Sequence, residues 1–573
     1  MRHGTPCEVA LRALGHGTPC PYILMVIAFF TLFFRLGALP LTGADEPRYA
    51  RIAEEMHDRG EWVTPELQGK PWLEKPPLYY WITKPFYSVF SSPEVAARVG
   101  SALCGLITAL AVYWVGLTLW TPLAGFIGSA MLLTTLGLAG FGRSATTDMP
   151  FTCCLTLAMA ILVIAVEKDI GWKVLAAYVF LGLAVLGKGP VAGILVAGVA
   201  LAFWFLNERG GAMRRWRPLL GGLVALAVAL PWFWLAFREN GYAFIATFFI
   251  NHNLARYATD IHHHAQPFYY YLPVLLALVF PWSGWLLTLW PQSLGNSLQR
   301  WREWRPADVF VVCWFCLPIF FFSLSGSKLP GYILPSLPPL ALLVGARLAS
   351  AIEGRRAVPR LRAALWLHLI LSFGMAVAAP VFFQKDYGGS LVTGLWISAA
   401  VLPPAIVAFV CGLKGNCIAA VRASMVQGTL LVAVVAFFAF PVLGDYHSTR
   451  TLARQALSAR LSEHEPVAMY RFFHHTLQYY TGYLAETQLD DCDALRRFAD
   501  IHPTFLVVTK ETAVRELLRG EGCAGISTQV LHRQGNFFLA RVNKVEVGTA
   551  RRVVRAVSAK PPYPPRRQHR NHG

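Results

Sequence analysis

Long apolar runs separated by short polar stretches fill the chain as far as about residue 442. A helix needs roughly 17 to 25 apolar residues to cross a bilayer. Runs of that kind lie near 21–39, 95–117, 122–141, 150–166, 172–187, 189–206, 218–237, 268–290, 307–323, 332–349, 364–383, 391–411 and 423–442, which predicts thirteen membrane spans. The basic residues test this count, because an error of one span would invert every later loop. With the N-terminus in the cytoplasm, Arg209, Arg214, Arg215 and Arg217 fall inside, as do Arg300, Arg302 and Arg305, then Arg347, Arg355, Arg356, Arg360 and Arg362. The same parity sends five polar features to the other face: the loop 45–81, residues 143–148, residues 187–190, the loop 238–267, and residues 325–332. The polar motifs therefore share one side of the membrane.

Inside the first of those loops the period changes. Over residues 45–60, Tyr49, Ile52, Ala53 and Met56 fall on one helical face and Arg51, Glu54, Glu55 and Asp58 on the other, predicting an amphipathic helix on the membrane surface. Asp45 is its expected N-cap, with Pro47 in the first turn and Gly60 past the end. Pro76 and Pro77 bar a helix where they stand, and Tyr79, Tyr80 and Trp81 read as an interfacial aromatic belt before a second surface helix. After the last span the composition becomes that of a soluble protein, with strand-like stretches at 466–470, 504–509, 527–532 and 537–542 and helical ones between them. The fold class is thus mainly α and polytopic. A membrane domain covers 1–442, with its first outer loop at 40–94, and a small α/β domain covers 443–548. The Arg-, Pro- and His-rich tail at 549–573 is expected to be disordered, with its charge leaning on anionic lipid.

Composition narrows the class. Of 573 residues, 55% are hydrophobic and 14% charged, against about 25% charged in soluble domains. The formal charge of +19 does not point to nucleic acid, because the arginine clusters sit beside apolar spans, where they set topology and meet anionic lipid heads. No small-residue cleavage site precedes Leu39-Pro40-Leu41, so the first span is expected to be retained. Cys313 and Cys316 lie in one apolar span and Cys153 and Cys154 in another, where packing explains them. Cys492 and Cys523 fall in the C-terminal region on the outer side, where a disulfide is open to them. The repeated His-Gly-Thr-Pro-Cys at 3–7 and 16–20 carries no assignable role, and no pattern sets an oligomeric state.

The chain holds no P-loop, no GxGxxG after a strand, no GxSxG elbow and no HExxH. Asp491-Cys492-Asp493 imitates the DxD of nucleotide-sugar enzymes, but it stands at an expected helix start, where N-capping explains it. A nucleotide cofactor is therefore not expected. What remains is a set of carboxylates, lysines, an arginine and a tyrosine on one membrane face.

Five motifs carry a resemblance: Gly43-Ala44-Asp45-Glu46-Pro47-Arg48-Tyr49, Glu74-Lys75-Pro76-Pro77-Leu78-Tyr79-Tyr80-Trp81, Thr146-Thr147-Asp148, Gly187-Lys188-Gly189-Pro190, and Ser327-Lys328-Leu329-Pro330-Gly331-Tyr332-Ile333-Leu334-Pro335. In this order, over residues 40–340, they resemble the aminoarabinose transferases that modify lipid A. That family belongs to the GT-C group of multispan glycosyltransferases, which also holds the protein O-mannosyltransferases. The resemblance implies inverting transfer of 4-amino-4-deoxy-L-arabinose from undecaprenyl phosphate to a lipid A phosphate at the periplasmic face of the inner membrane. Such transfer lowers the negative charge of lipopolysaccharide and gives resistance to polymyxin and other cationic peptides. A related transferase using another polyprenyl-phosphate sugar, or a protein hydroxyl acceptor, is the nearest alternative. A lipid transporter or flippase is the alternative from another class, disfavoured because the charges gather at one face and the spans show no repeat.

A polyprenyl-phosphate donor needs a lipid-lined groove closed by cations. Lys75, Arg256, Tyr332 and Arg48 are the candidates for its phosphate, where charge accumulates in the transition state. For Lys75 the plainer reading is snorkelling at the interface. Asp45, Glu46 and Asp148 are the catalytic candidates, Asp45 and Asp148 lying near the sugar. A phosphate acceptor, with its second pKa near ~6, needs little help from a base. Asp45 would then orient acceptor or sugar, with one carboxylate pairing with the sugar's amino group; toward a hydroxyl acceptor it would act as general base. Its plainer reading is a helix cap. Lys188, Lys328 and Glu74 are candidates for the substrates, against plain turn and solvation roles for the two lysines. Glu74 with His252, or with His262, His263 or His264, offers a divalent ion such as zinc a site, against ordinary hydrogen-bonded loop histidines.

Overall fold

In the computed structural model the apolar runs are helices. The structure describes residues 21–207, 211–255, 266–290, 304–355, 358, 360–388, 390–485, 487–519, 523 and 525–545. The His-Gly-Thr-Pro-Cys repeats and the tail from 549 lie outside them. The described chain separates into two compact units, which meet in sequence at Gly444 and Asp445.

In the first unit, nine helices among the described residues are long and apolar enough to cross a membrane, and two bent pairs bring the number to eleven. The bent pairs are Pro122–Leu133 with Leu136–Gly142, at 61°, and Phe268–Leu278 with Trp282–Leu289, at 115°. Two shorter apolar helices, Pro21–Phe33 and Val191–Asn207, fall on two further runs. Every expected span thus meets an apolar helix or bent pair, but length and apolarity alone do not reach thirteen. The breaks have local causes. The Thr135 hydroxyl caps the second helix of the first pair by accepting from the Leu138 amide, and Pro281 at the second bend has no amide hydrogen to offer a helix.

The bundle core is one large cluster from Leu24 to Met425, with a smaller one around Phe280, Phe383 and Val401. One of its close contacts joins α2 (Pro93–Leu119) to Pro122–Leu133. A Cβ added to Gly125 would lie 2.4 Å from the Tyr113 carbonyl oxygen, so glycine lets these backbones touch.

The first loop holds α1 (Asp45–Asp58), with Gly60 in the left-handed region two residues beyond its end. Its apolar residues Tyr49, Ile52, Ala53 and Met56 are buried, the Tyr49 ring lying 6.0 Å from Tyr79 and 6.3 Å from Tyr80. The helix therefore spends its apolar face on protein. Three expectations change with it. Ala44, without a side-chain bond, occupies the N-cap, and Asp45 instead pairs with Arg48 at 2.5 Å. Glu55, expected on the wet face, is buried and accepts from Arg51 at 2.7 Å and Arg59 at 3.2 Å. Tyr79 and Tyr80 form no interfacial belt, because both are buried in the short helix Leu78–Thr83, with the Tyr79 hydroxyl donating to the Ala97 carbonyl at 2.8 Å. A two-stranded ribbon, β1 (Glu66–Leu67) and β2 (Lys70–Pro71), links α1 to the Glu74 motif. From the bundle come α3 (Asp148–Glu167) and α4 (Leu175–Lys188), whose ends meet this loop's neighbourhood.

The second unit is an α/β fold. Strands β3 (Val467–Tyr470), β4 (Thr487–Leu489), β5 (Thr504–Lys510), β6 (Ile526–Gln534) and β7 (Phe537–Lys544) form one sheet in the order β4-β3-β5-β7-β6. The first three run parallel and the last two antiparallel. On one face lie α5 (Arg450–Ala459) and α6 (His475–Tyr480), and on the other α7 (Cys492–Ile501) and α8 (Glu511–Arg519). Strand β4, unannounced by the sequence, is a short edge. Asp491 caps α7 by accepting from the Ala494 amide at 2.7 Å, and Cys492 is disulfide-bonded to Cys523.

Candidate active site

The site is built from two first-turn carboxylates. Asp148 opens α3, where its side chain pairs with Lys188 at the end of α4. Lys188 also stands over two rings, its Nζ 5.5 Å from the centroid of Tyr332 and 5.1 Å from that of Phe151. Gly331 completes this wall: a Cβ there would lie 2.8 Å from Asp148 Oδ1, so glycine alone lets the Pro330–Ser336 turn close on the carboxylate. Asp148, Lys188, Gly331 and Tyr332, drawn from three of the five motifs, are thus together.

Asp45 stands in α1 with Arg48, whose guanidinium also lies 5.3 Å from the Trp72 ring. Tyr49 ties the two groups. Burial raises its pKa well above the usual phenol range, and the charges of Asp45, Asp148 and Glu74 push it further up against the opposing Arg48. Four of the sequence's site residues thus act on one hydroxyl, which stays protonated and can only be a neutral hydrogen-bond partner. Glu74 also faces His252, its Oε1 3.7 Å from Nε2. Lys75, beside Glu74 and before the Pro76-Pro77 turn, is half-buried.

Glu46 is elsewhere. It is buried, accepts from Arg98 Nε at 2.9 Å and a terminal guanidinium nitrogen at 2.7 Å, and takes the backbone amides of Ala145 and Thr42 at 2.9 Å each. Burial alone would raise its pKa, but the charge and hydrogen bonds of Arg98, with those amides, hold it below the ordinary value. Arg98 reaches on to the carbonyls of Leu36 and Pro40. This is a brace between α1, α2 and the end of the first span, and it withdraws Glu46 from chemistry. Lys328 is also withdrawn: it is buried and donates to the Ser325 carbonyl at 2.6 Å, rather than facing a substrate.

Comparisons with known proteins give the family and the fold. Residues 74–234 match the family described as dolichyl-phosphate-mannose-protein mannosyltransferase. The fold matches the crystal structure of ArnT from Cupriavidus metallidurans bound to undecaprenyl phosphate, with a TM-score of 0.73 at 24% identity over 91% of this chain and 97% of that one. The undecaprenyl phosphate-α-4-amino-4-deoxy-L-arabinose arabinosyl transferase 2 of Pseudomonas fluorescens is 32% identical over 413 residues, 67% of each chain. The corresponding transferase of Pectobacterium atrosepticum is 31% identical over 65% of this chain and 70% of its own. The chain belongs to this arabinosyl transferase family.

The protein is accordingly a membrane glycosyltransferase of GT-C architecture. Two sets of site expectations for this arabinosyl transferase lie outside the described residues: Arg256, and His262, His263 and His264. Among the described residues no three of His, Cys, Asp and Glu gather as a metal set, and Glu74 with His252 is a pair. Sequence reasoning missed three residues, Tyr49 and Gly331 at the candidate site and Arg98 in the brace. Tyr49 reads along the chain only as part of an apolar face, and Gly331 only as part of a motif. Arg98 had a signal, since a lone arginine inside the 95–117 apolar run demands a buried partner.

Proposed function

We propose that the protein transfers 4-amino-4-deoxy-L-arabinose from undecaprenyl phosphate to a phosphate of lipid A, at the periplasmic face of the inner membrane. The observation that carries this reading is the meeting of Asp148, Lys188, Gly331 and Tyr332 from three separated motifs, beside a Tyr49 hydroxyl that feels the charges of Asp45, Glu74 and Asp148. In the reaction an acceptor phosphate oxygen attacks the anomeric carbon, the bond from that carbon to the donor phosphate oxygen breaks, and undecaprenyl phosphate leaves with one more negative charge. Lys75, Arg48 and Tyr332, with Arg256, neutralise that charge as it develops. Asp45 orients the acceptor and sugar, and the protonated amino group of the sugar pairs with Asp45 or displaces Lys188 from Asp148. The phosphate acceptor is already an anion, so no general base is required.

Support for the periplasmic placement comes from the Cys492–Cys523 disulfide, since such bonds persist in oxidising compartments. Adding an amine to lipid A lowers the charge of lipopolysaccharide, and resistance to cationic peptides follows. To the same proposal belongs a divalent ion such as zinc on Glu74 and His252, which offer the oxygen and nitrogen that zinc takes as ligands. Stoichiometric zinc in the purified protein, lost in Glu74→Gln, supports the ion; a zinc-free wild type removes it.

The deciding experiment incubates purified protein with undecaprenyl-phosphate-linked aminoarabinose and lipid A. Mass spectrometry should find one aminopentose on lipid A, absent without donor. A folded protein that binds the carrier lipid yet gives no adduct sinks this reading and moves the acceptor to a protein hydroxyl, toward which the match to mannosyltransferases at 74–234 points.

A further inference from the structure

The second unit carries a feature that the transfer chemistry does not use. Strand β3 lies between β4 and β5, both parallel to it. The chain leaves β3 for α6, whose Leu477 packs with Val467 and Met469, and leaves β5 for α8, whose Ala513 and Leu517 pack with Ala468 and Phe505 on the opposite face. Two adjacent parallel strands whose following loops part to opposite faces leave a crevice at their carboxyl ends, and open α/β sheets bind ligands there.

Basic groups gather at this crevice. Lys510, exposed at the end of β5, stands opposite Phe537 in the register, and the His474 ring lies 5.2 Å from that same Phe537. His475 follows, its ring 4.6 Å from the exposed ring of Phe473. A hydrogen-bond chain runs from Thr449 through Thr476 to His474. The Thr476 hydroxyl accepts from the Thr449 amide at 3.0 Å, stands 2.8 Å from the Thr449 hydroxyl and 2.7 Å from His474 Nδ1. In the sense in which the Thr449 hydroxyl donates, Thr476 gives its one proton to Nδ1 and the ring proton stands on Nε2 as a donor. Burial, with the charges of His475, Lys510 and His447, holds His474 down to about 4, so the ring is neutral at pH 7. The nearby carboxylates are engaged: Glu511 with Arg515 at 2.5 Å, and Glu516 with Arg471.

We propose that the crevice at the ends of β3 and β5 binds the phosphate monoester headgroup of a lipid through His474 Nε2–H, His475 and Lys510. This deepens the reading above and rests on it: the lipid is the phosphorylated acceptor, captured before transfer. A phosphate monoester carries about −1.5 to −2 charges at pH 7 and rewards several converging donors. The exposed Phe473 beside His475 suits the apolar part of a lipid. Within this unit the β6–β7 turn packs on its first residues, since a Cβ on Gly535 would lie 2.6 Å from the Asp445 carbonyl oxygen.

The test is hydrogen–deuterium exchange on the full chain in nanodiscs of phosphatidylethanolamine, without sugar donor, so that binding is read separately from turnover. Bis-phosphorylated lipid A should slow exchange at least threefold in peptides covering 471–476 and 509–512. Dephosphorylated lipid A should not. The double variant His475→Ala/Lys510→Ala, shown by thermal melting to be folded, should lose the protection. His474→Gln, which keeps a neutral donor, should retain most of it. Equal protection by inorganic phosphate at millimolar concentration supports the phosphate site and assigns it to the free ion rather than the headgroup. Protection that is absent, is equal with dephosphorylated lipid, or survives in the double variant overturns the proposal.

Discussion

Glu46 and Asp148 are both acidic residues in the first turn of a helix, and each pairs with a basic residue from another helix. The Glu46–Arg98 pair is shut in, with side chains 9% and 1% exposed, and both carboxylate oxygens also accept protein amides. The Asp148–Lys188 pair is 20% and 16% exposed, and Lys188 looks over Tyr332. Opening the first pair would strand a charge in the bundle. Opening the second lets each charge turn to a ligand of opposite sign. Membership in the same motif as Asp45 therefore says little about role. What separates brace from site is whether the partner can be exchanged.

The sharpest way to break this comparison is to remove the brace. Arg98→Met leaves Glu46 buried and unpaired, and should cost about 3–5 kcal/mol, read as a large fall in melting temperature. A variant as stable as wild type would put the pair on a level with Asp148–Lys188. Next comes Asp45→Asn, expected to lower kcat by about 10²- to 10³-fold with melting unchanged, the range found for removing one preorganised electrostatic group. Normal turnover would reduce Asp45 to the ion-pair partner of Arg48. Lys188→Met should cost kcat on the order of tenfold and raise the KM for donor, with Lys188→Arg recovering part of the loss. A drop in stability without change in kinetics would make this pair a second brace. The smallest effect is in pH. Because the folded-state pKa of Glu46 is lowered, its contribution to stability is present above the ordinary 4.5 and lost as pH falls below it. The stability gap between wild type and Glu46→Gln should therefore narrow below about pH 4.5, as calorimetry would show.

Much of this was legible in the chain because its causes are local or periodic. Apolar runs gave the helices, and the alternating stretches after 443 gave four of the five sheet strands. Three of the five motifs read as one site, and Asp148, Lys188 and Tyr332 are together in it. Lys328 shows the limit: its motif is right, but its side chain turns inward to the Ser325 carbonyl, which no spacing announces. Tyr49 was hidden for the opposite reason. Its period placed it on the apolar face, and an apolar face that packs on protein can also present a hydroxyl to carboxylates from elsewhere.

The sequence by itself determined the membrane class, the helical architecture, the soluble C-terminal unit and the family, because hydrophobicity, period and motif order are properties of consecutive residues. The tertiary structure alone decided which carboxylate braces and which stays open, that α1 lies on protein, and that His474 and Lys510 share a crevice. Each of these turns on the burial and partners of a side chain, and for the two ion pairs those partners stand 52 and 40 positions away along the chain and arrive only after the helices have packed.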